Sequence, residues 1–386
     1  MRIVSPLVDR KRLRKPPVLM FHGAMVDPSY FLCASSIQHR PEKYPRTASD
    51  GPITSSNRSL AFVLANHGFD VWLVGSRACN KDNQARYEVN GSPSFHSRDL
   101  RGKNLTSGEI QLAHARVSSY YQYSLDDLIA FEVKNQIDKV LEVTGSREFM
   151  IYANSIAAST TLAVLALHPE YARRARVYAQ LGPAIAAVHT HALTKLYLDG
   201  LVPGLPSSGI GPVPNNETLS LMREATNLLA VSPRLRYSLV EPMLDSSANG
   251  PNAPYQTNLE RNVLSRNFLP ISFKAIQQYC QNAVAKRFEK FNYGKKQNMA
   301  IYGTSKPPAY NISFVEVQNY VVVYGTNDAL ASPETVARLA RTVSAPKPIE
   351  YVKADGYNHL DLIAGTDVDE VINLPMLDIY LKHSDP

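Results

Sequence analysis

Residues 151–158 read IYANSIAA, and the reading of this stretch decides the fold. An apolar run, EFMIYA at 148–153, leads to a lone serine, Ser155, and the helical run STTLAVLAL follows at 159–167. A strand that turns sharply into a helix needs small residues two before and two after the turning residue, because the two backbones approach closely. Glycines usually fill both places, as G-x-S-x-G; here Ala153 and Ala157 hold them. Alanine is the next smallest residue, so the turn is tightened rather than forbidden. This segment alone leaves two readings of Ser155: a hydroxyl presented at a strained turn, or a helix N-cap without chemistry.

Outward from this stretch, short β-branched runs alternate with helical patterns, which predicts a mostly parallel sheet wrapped by helices. The expected strands are 17–22, 69–74, 148–153, 175–182, 319–325 and 348–354. Helices are expected at 59–68, ending at Gly68, at 124–145, ending at Gly145, and after Ser155. Ser124 followed by Asp126 and Asp127 makes a good helix start, with acids set against the positive end of the dipole. Between about 186 and 308 the alternation stops and helical patterns dominate, with no clear strand. Its clearest helix carries Ile276, Tyr279, Cys280, Ala283, Val284 and Phe288 on one face. An inserted helical cap over the carboxyl end of the sheet is the reading.

Composition narrows the class. The chain has 386 residues, 44% hydrophobic and 19% charged, enough for a large core in a soluble fold. Its net charge of +7 is scattered. The densest run, DRKRLRK at 9–15, lacks the interleaved aromatics of a nucleic-acid surface and reads as a solvated loop. The charge modestly favours anionic lipid surfaces and nothing more specific. Cys33, Cys79 and Cys280 are widely spaced and form neither a zinc pattern nor a disulfide framework. One bridge or three buried thiols are both open. Sequons stand at Asn57, Asn90, Asn104, Asn216 and Asn311, the second weakened by Pro93 directly after it, and they hint at a secreted or lumenal chain. No stretch has the roughly 18 uncharged apolar residues of a membrane span. The opening MRIVSPLVDRKRL has no apolar signal region. His189 and His191 lie two apart, share no helix face, and carry no metal role. No cofactor is expected.

An open α/β sheet places its functional groups on loops at the carboxyl ends of strands. Ser155 ends one such strand, Asp328 follows the strand at 319–325, and His359 follows the strand at 348–354. Ser332-Pro333-Glu334 makes the better start for the next helix, which leaves Asp328 available to orient a histidine. His359 would act as general base toward the serine and general acid toward the leaving group. The order Ser155, Asp328, His359 is that of an α/β-hydrolase. A His-Gly turn, MFHGAM at 20–25, would aim the Ala24 N–H at a developing oxyanion, with the Ile156 N–H as second donor.

With these pieces together the chain resembles the acid lipase family, the gastric and lysosomal acid lipases of α/β-hydrolase fold. NRSLAFVLANHGFDVWLVGSR at 57–77, with Trp72 and the Gly75-Ser76-Arg77 run, is similar to that family's second-strand block. YSLDDLIAFEVKNQIDKVLEVTG is similar to its helix before the nucleophile strand. KPPAYNISFVEV and YGTNDALASPETV resemble the segment with its aspartate, and YNHLDLI the segment with its histidine. The resemblance spans nearly the whole chain and is weakest at 186–270.

The resemblance implies an α/β-hydrolase core at 1–185 and 309–386 with a cap or lid at 186–308. It implies a serine hydrolase of lipid esters, triacylglycerol or cholesteryl ester, meeting a lipid–water interface through the cap, in a secreted or lysosomal location. It also implies that MRIVSPL is a strand well inside the mature family protein, so that a leader and first segment are missing here. The departures are A-N-S-I-A in place of G-H-S-x-G, Glu132-Val133-Lys134 in place of D-L-P, an insertion at 35–53, and no counterpart of the family's cap disulfide. They leave a second expectation, a lapsed hydrolase that binds a lipid or protein partner. A transferase or non-lipid hydrolase on the same fold is a third.

Overall fold

Val18 and Met20 face one side of the central sheet and Leu19 and Phe21 the other, and all four are buried. Strands covered by helices on both faces lose the usual apolar–polar alternation and become continuous apolar runs. The computed structural model describes residues 1–3, 15–32, 59–77, 120–189, 195–205, 212–213, 269–365 and 367–384. Its main sheet comprises β1 (Arg2–Ile3), β2 (Val18–Phe21), β3 (Val71–Val74), β4 (Phe149–Asn154), β5 (Ala175–Leu181), β8 (Tyr320–Gly325) and β9 (Glu350–Ala354). Their spatial order is β1-β3-β2-β4-β5-β8-β9, with β1 antiparallel and every other pairing parallel. The six strands expected from pattern are all present, within two residues of their expected ends. Fraying at element ends accounts for differences of that size.

Helices cover both faces. On one side α1 (Leu60–Asn66) and α7 (Leu374–Lys382) pack against Met20, Met150, Tyr152 and Val323. On the other, α2 (Val133–Thr144), α3 (Ile156–Leu167) and α6 (Pro333–Thr342) pack against Leu19, Ile151, Tyr178 and Val322. Each such side chain taken fully out of water contributes about 1.5–3 kcal/mol, which is why these runs hold the sheet together. α6 starts where Ser332, Pro333 and Glu334 predict, with the Ser332 hydroxyl accepting from the Thr335 N–H at 3.4 Å. Of the stretch that departs from D-L-P, Glu132 ends a π-helical turn, Leu128–Glu132, and Val133 and Lys134 open α2. α2 stops at Gly145, whose φ of 66° is the left-handed conformation that ends helices.

Between β5 and β8 the described residues add no strand to the main sheet. They include a π-helical turn at Lys195–Leu201, α4 (Phe273–Ala285) and α5 (Lys295–Tyr302). One correction falls here: Pro212–Val213 (β6) and Ile271–Ser272 (β7) pair antiparallel in a region expected to have no strand. Two residues per strand are too few to display a period. α4 spans Phe273–Ala285 and stops short of Phe288, the last residue of the expected stripe.

The helical region is stitched to the sheet domain through Asp126. Its Oδ1 accepts from Gln278 Nε2 at 2.6 Å and Tyr310 Oη at 2.7 Å, and its Oδ2 from the Phe291 N–H at 2.9 Å. Gln278 Oε1 in turn accepts from the Leu125 N–H at 2.8 Å. Ser124 and Asp127 form the expected cap, while Asp126, expected to serve the helix dipole, serves this junction.

Cys280 is a free, buried thiol, and burial pushes its pKa well up. Asn311 is exposed. Cys33, Cys79, Asn57, Asn104, Asn216, His191 and the insertion at 35–53 lie outside the described residues. No helix among the described residues is long and apolar enough to cross a membrane.

Candidate active site

Ser155 stands between β4 and α3 with φ 57° and ψ −121°, a backbone conformation that non-glycine residues rarely hold. Such strain costs on the order of 1–3 kcal/mol and persists only where the surroundings impose it. Here they do. The Ser155 N–H donates to Leu181 O at 2.8 Å, and its carbonyl accepts from the N–H of Ala158 at 3.0 Å and of Ala184 at 3.4 Å. Ala153 is fully buried and Ala157 is 8% exposed, both inside the apolar layer between sheet and α3. The sharp turn therefore forms with alanines at both small positions. Behind it lies a buried polar lattice: Gln180 Nε2 donates to Ala158 O at 3.0 Å, and Tyr320 Oη donates to Gln180 Oε1 at 2.6 Å.

Three side chains expected from their order in the chain meet at this turn. His359 Nε2 is 2.9 Å from Ser155 Oγ, and His359 Nδ1 is 2.7 Å from Asp328 Oδ2. All three are buried, at 8%, 6% and 2% exposure for Ser155, His359 and Asp328, so water competes little for these bonds. An ionised Asp328 only accepts, so Nδ1 carries the imidazole proton and Nε2 accepts from the serine hydroxyl. Asp328 Oδ1 is held separately, by the N–H of Leu330 at 2.8 Å and of Ala331 at 2.7 Å. A histidine so placed can take the hydroxyl proton, and a carboxylate so placed stabilises the imidazolium that forms.

The residues of the two expected backbone donors adjoin Ser155. Ile156 is the first residue of α3, so its N–H has no acceptor inside the helix. Ala24 follows Gly23, whose Cα lies against Ser155 and Asn154. The His22 ring orders this turn. The Ser76 N–H donates to Nε2 at 3.1 Å, which leaves Nδ1 protonated to donate to Gly23 O at 2.7 Å. Burial lowers the His22 pKa and keeps the ring in this neutral form.

Several supporting residues were not legible as such. Gly182, at φ 54°, lies against the His359 ring, where a Cβ would meet Cε1 at 3.0 Å and Nδ1 at 3.1 Å. Gly325 approaches Tyr357 so closely that a Cβ would fall 2.2 Å from its carbonyl oxygen. Asn358 and Asp361 brace the histidine loop: Asn358 Oδ1 accepts from the N–H groups of Leu360 and Asp361 at 3.0 Å, and Asp361 Oδ2 accepts from the Asn358 N–H at 2.8 Å. The only sequence signal was their place next to the strand ends. Arg77 and Glu132 pair, joining the Gly75-Ser76-Arg77 run to the altered D-L-P segment.

This sheet order, with a strained serine at the end of its fourth strand, is the α/β-hydrolase fold. A solved structure of a candidate lipase from Sulfolobus solfataricus matches it over 95% of this chain and 86% of that one, at 15% identity and a TM-score of 0.52. The chain itself resembles gastric- and lysosomal-type lipases over most of its length. It is 24% identical to Lipase 1 of Drosophila melanogaster across 97% of this chain and 74% of that protein. It is 24% identical to human Lipase member K across 96% of this chain and 81% of that one, and 24% identical to human gastric triacylglycerol lipase across 82% and 72%. No family model matches the chain.

Proposed function

We propose that the protein is a serine hydrolase of lipid esters, with Ser155 as nucleophile, His359 as general base and then acid, and Asp328 as the group that orients His359. The observation that carries this reading is the unbroken hydrogen-bonded path from Ser155 Oγ through the His359 ring to Asp328. The hydroxyl proton passes to His359 Nε2 as Oγ bonds to the ester carbonyl carbon. The carbonyl oxygen gains the negative charge and takes hydrogen bonds from the Ala24 and Ile156 N–H groups. Collapse expels the alcohol, which leaves with the proton from Nε2. Water, activated by the same nitrogen, then releases the fatty acid and restores Ser155.

Lipid esters, triacylglycerol or cholesteryl ester, are the proposed substrates because the relatives are lipases by name. Residues 186–308 are proposed as a cap over a core of 1–185 and 309–386. Exposed Leu196, Tyr197 and Leu201, on the helical turn that packs beside α4, support contact of this cap with a lipid surface. A secreted or lysosomal location follows from the same resemblance.

A fluorophosphonate probe and a p-nitrophenyl ester series test the reading. The expected result is a covalent adduct at Ser155 and turnover that Ser155→Ala abolishes. Absence of an adduct under conditions that label active lipases would favour the lapsed, binding-only alternative.

A further inference from the structure

A second buried chain of polar side chains ends at the peptide that holds Asp328. His189, 2% exposed, follows β5 in the chain. Its Nδ1 is 2.5 Å from Asp199 Oδ1, on the helical turn Lys195–Leu201. Its Nε2 is 2.9 Å from the hydroxyl of Tyr279 on α4, with the two rings 5.7 Å apart. That hydroxyl donates to Leu330 O at 3.3 Å. The carbonyl of Leu330 and the N–H of Ala331 belong to one planar peptide unit, and the Ala331 N–H donates to Asp328 Oδ1 at 2.7 Å. Whatever holds that carbonyl also sets the direction of that N–H.

The segment carrying His189 is tied to the site at several points. The Ser159 hydroxyl donates to Ala184 O at 2.8 Å, Arg338 Nη1 to Ala186 O at 3.0 Å, and Ser332 Oγ to Val188 O at 2.8 Å. The Val188 N–H donates to Thr335 Oγ1 at 2.7 Å. His189 therefore meets Asp199 and Tyr279 from a strap anchored to α3 and to α6, the helix after Asp328.

Counting protons gives this chain two states. Tyr279 has one hydroxyl hydrogen, and Asp199 as a carboxylate only accepts. All three hydrogen bonds are satisfied together only when both ring nitrogens of His189 carry hydrogen. A neutral ring keeps Nδ1–H on Asp199 and accepts from Tyr279 at Nε2. The hydroxyl hydrogen is then drawn away from Leu330, the longest bond of the three.

We infer that Tyr279 is a positioning residue for Asp328, acting through the Leu330–Ala331 peptide, and that protonation of His189 decides whether its hydroxyl is free to do so. This rests on the hydrolase reading above. Among the described residues, the charged and titratable groups around His189 are Asp199 and Lys195 on the helical turn, Tyr279 and Cys280 on α4, and Asp328 beyond Leu330. Burial lowers the His189 pKa, and Asp199 works against that. The state in which Tyr279 donates to Leu330 accordingly belongs to the acid side.

The test compares kcat and KM of the full chain on one soluble ester, from about pH 8 to about pH 5, for wild type, Tyr279→Phe, Asp199→Asn and Ser155→Ala. The ratio of wild-type to Tyr279→Phe kcat removes the pH dependence that the two proteins have in common. It should rise to about fivefold to tenfold at the acid end, the worth of one buried hydrogen bond, with KM little changed. In the Asp199→Asn background, with the ratio taken between Asp199→Asn and Asp199→Asn/Tyr279→Phe, that rise should move further toward acid. A ratio near one throughout overturns the positioning role, and a raised but flat ratio overturns the part played by His189. Turnover that survives Ser155→Ala overturns the hydrolase reading instead. If no ester is turned over, the low-field proton resonance of the His359–Asp328 bond replaces kcat. A shift in Tyr279→Phe, in a variant whose melting is unchanged, supports positioning, and an unshifted resonance overturns it.

Discussion

Gly23 packs directly on Ser155: a β-carbon at residue 23 would stand 3.0 Å from Ser155 Cβ and 2.7 Å from Asn154 Oδ1. The Asn154 side chain has little room to yield, because its Nδ2 donates to Leu181 O at 3.2 Å in a buried setting. The added methyl of Gly23→Ala must therefore push the turn that carries Ala24 away from the serine. Loss of one preorganised oxyanion donor costs about 100-fold or more in kcat. That fall is expected on a soluble ester, with KM and circular dichroism little changed. An unaltered kcat would show that the Ala24 N–H takes no part.

Gly182 is constrained twice, by its φ of 54° and by the His359 ring 3.0 Å from where a Cβ would be. Gly182→Ala should lower stability by about 1–3 kcal/mol, read as a lower urea midpoint with the slope unchanged. It should also lower kcat, since the added methyl presses on the His359 ring as well as on Leu362.

Ala153 and Ala157 already permit the strained conformation of Ser155. Reverting Ala157 to glycine removes a buried methyl from the first turn of α3, and glycine in a helix costs about 0.5–1 kcal/mol against alanine. Ala157→Gly is expected to lower stability by about that amount and to change the hydrolytic rate by less than about threefold. A rate gain of about tenfold or more would show instead that the methyl holds the elbow in a poor geometry.

His22 supplies a pH dependence of stability. Burial depresses its folded-state pKa below the ordinary imidazole value of 6.5. The unfolded chain therefore takes up a proton at a pH where the folded chain does not, and stability falls as pH drops below about 6.5. Protonation would also turn Nε2 from an acceptor for the Ser76 N–H into a competing donor. Urea midpoints measured from about pH 8 to about pH 5 should decline toward acid, and His22→Gln should flatten that slope. His189, also lowered by burial, leaves a residual slope in the variant. An equal slope in both proteins would exclude His22 as a contributor.

Local physics makes the sheet readable in the chain. A strand such as NYVVVYG must be apolar on both faces to lie between helices, and glycine at residues 68 and 145 must end its helix, so these features are written in adjacent residues. Two-residue strands such as Pro212–Val213 and Ile271–Ser272 carry no such mark. Ser155, Asp328 and His359 could be singled out because each follows a strand in the order of the α/β-hydrolase fold. Their supporting residues could not, because Gly182 and Gly325 matter through groups far along the chain.

The sequence by itself determined the alternation of strands and helices and the residue types at each strand end, which depend on neighbours a few positions away. Only the tertiary structure decided that Ser155 and His359, 204 residues apart, share a hydrogen bond, that two alanines accommodate a left-handed serine, and that His189 meets Tyr279 across 90 residues. The physical reason is the range of the forces involved. Periodicity records burial one residue at a time, whereas a hydrogen bond between distant side chains exists only once the core has packed and excluded water around both partners.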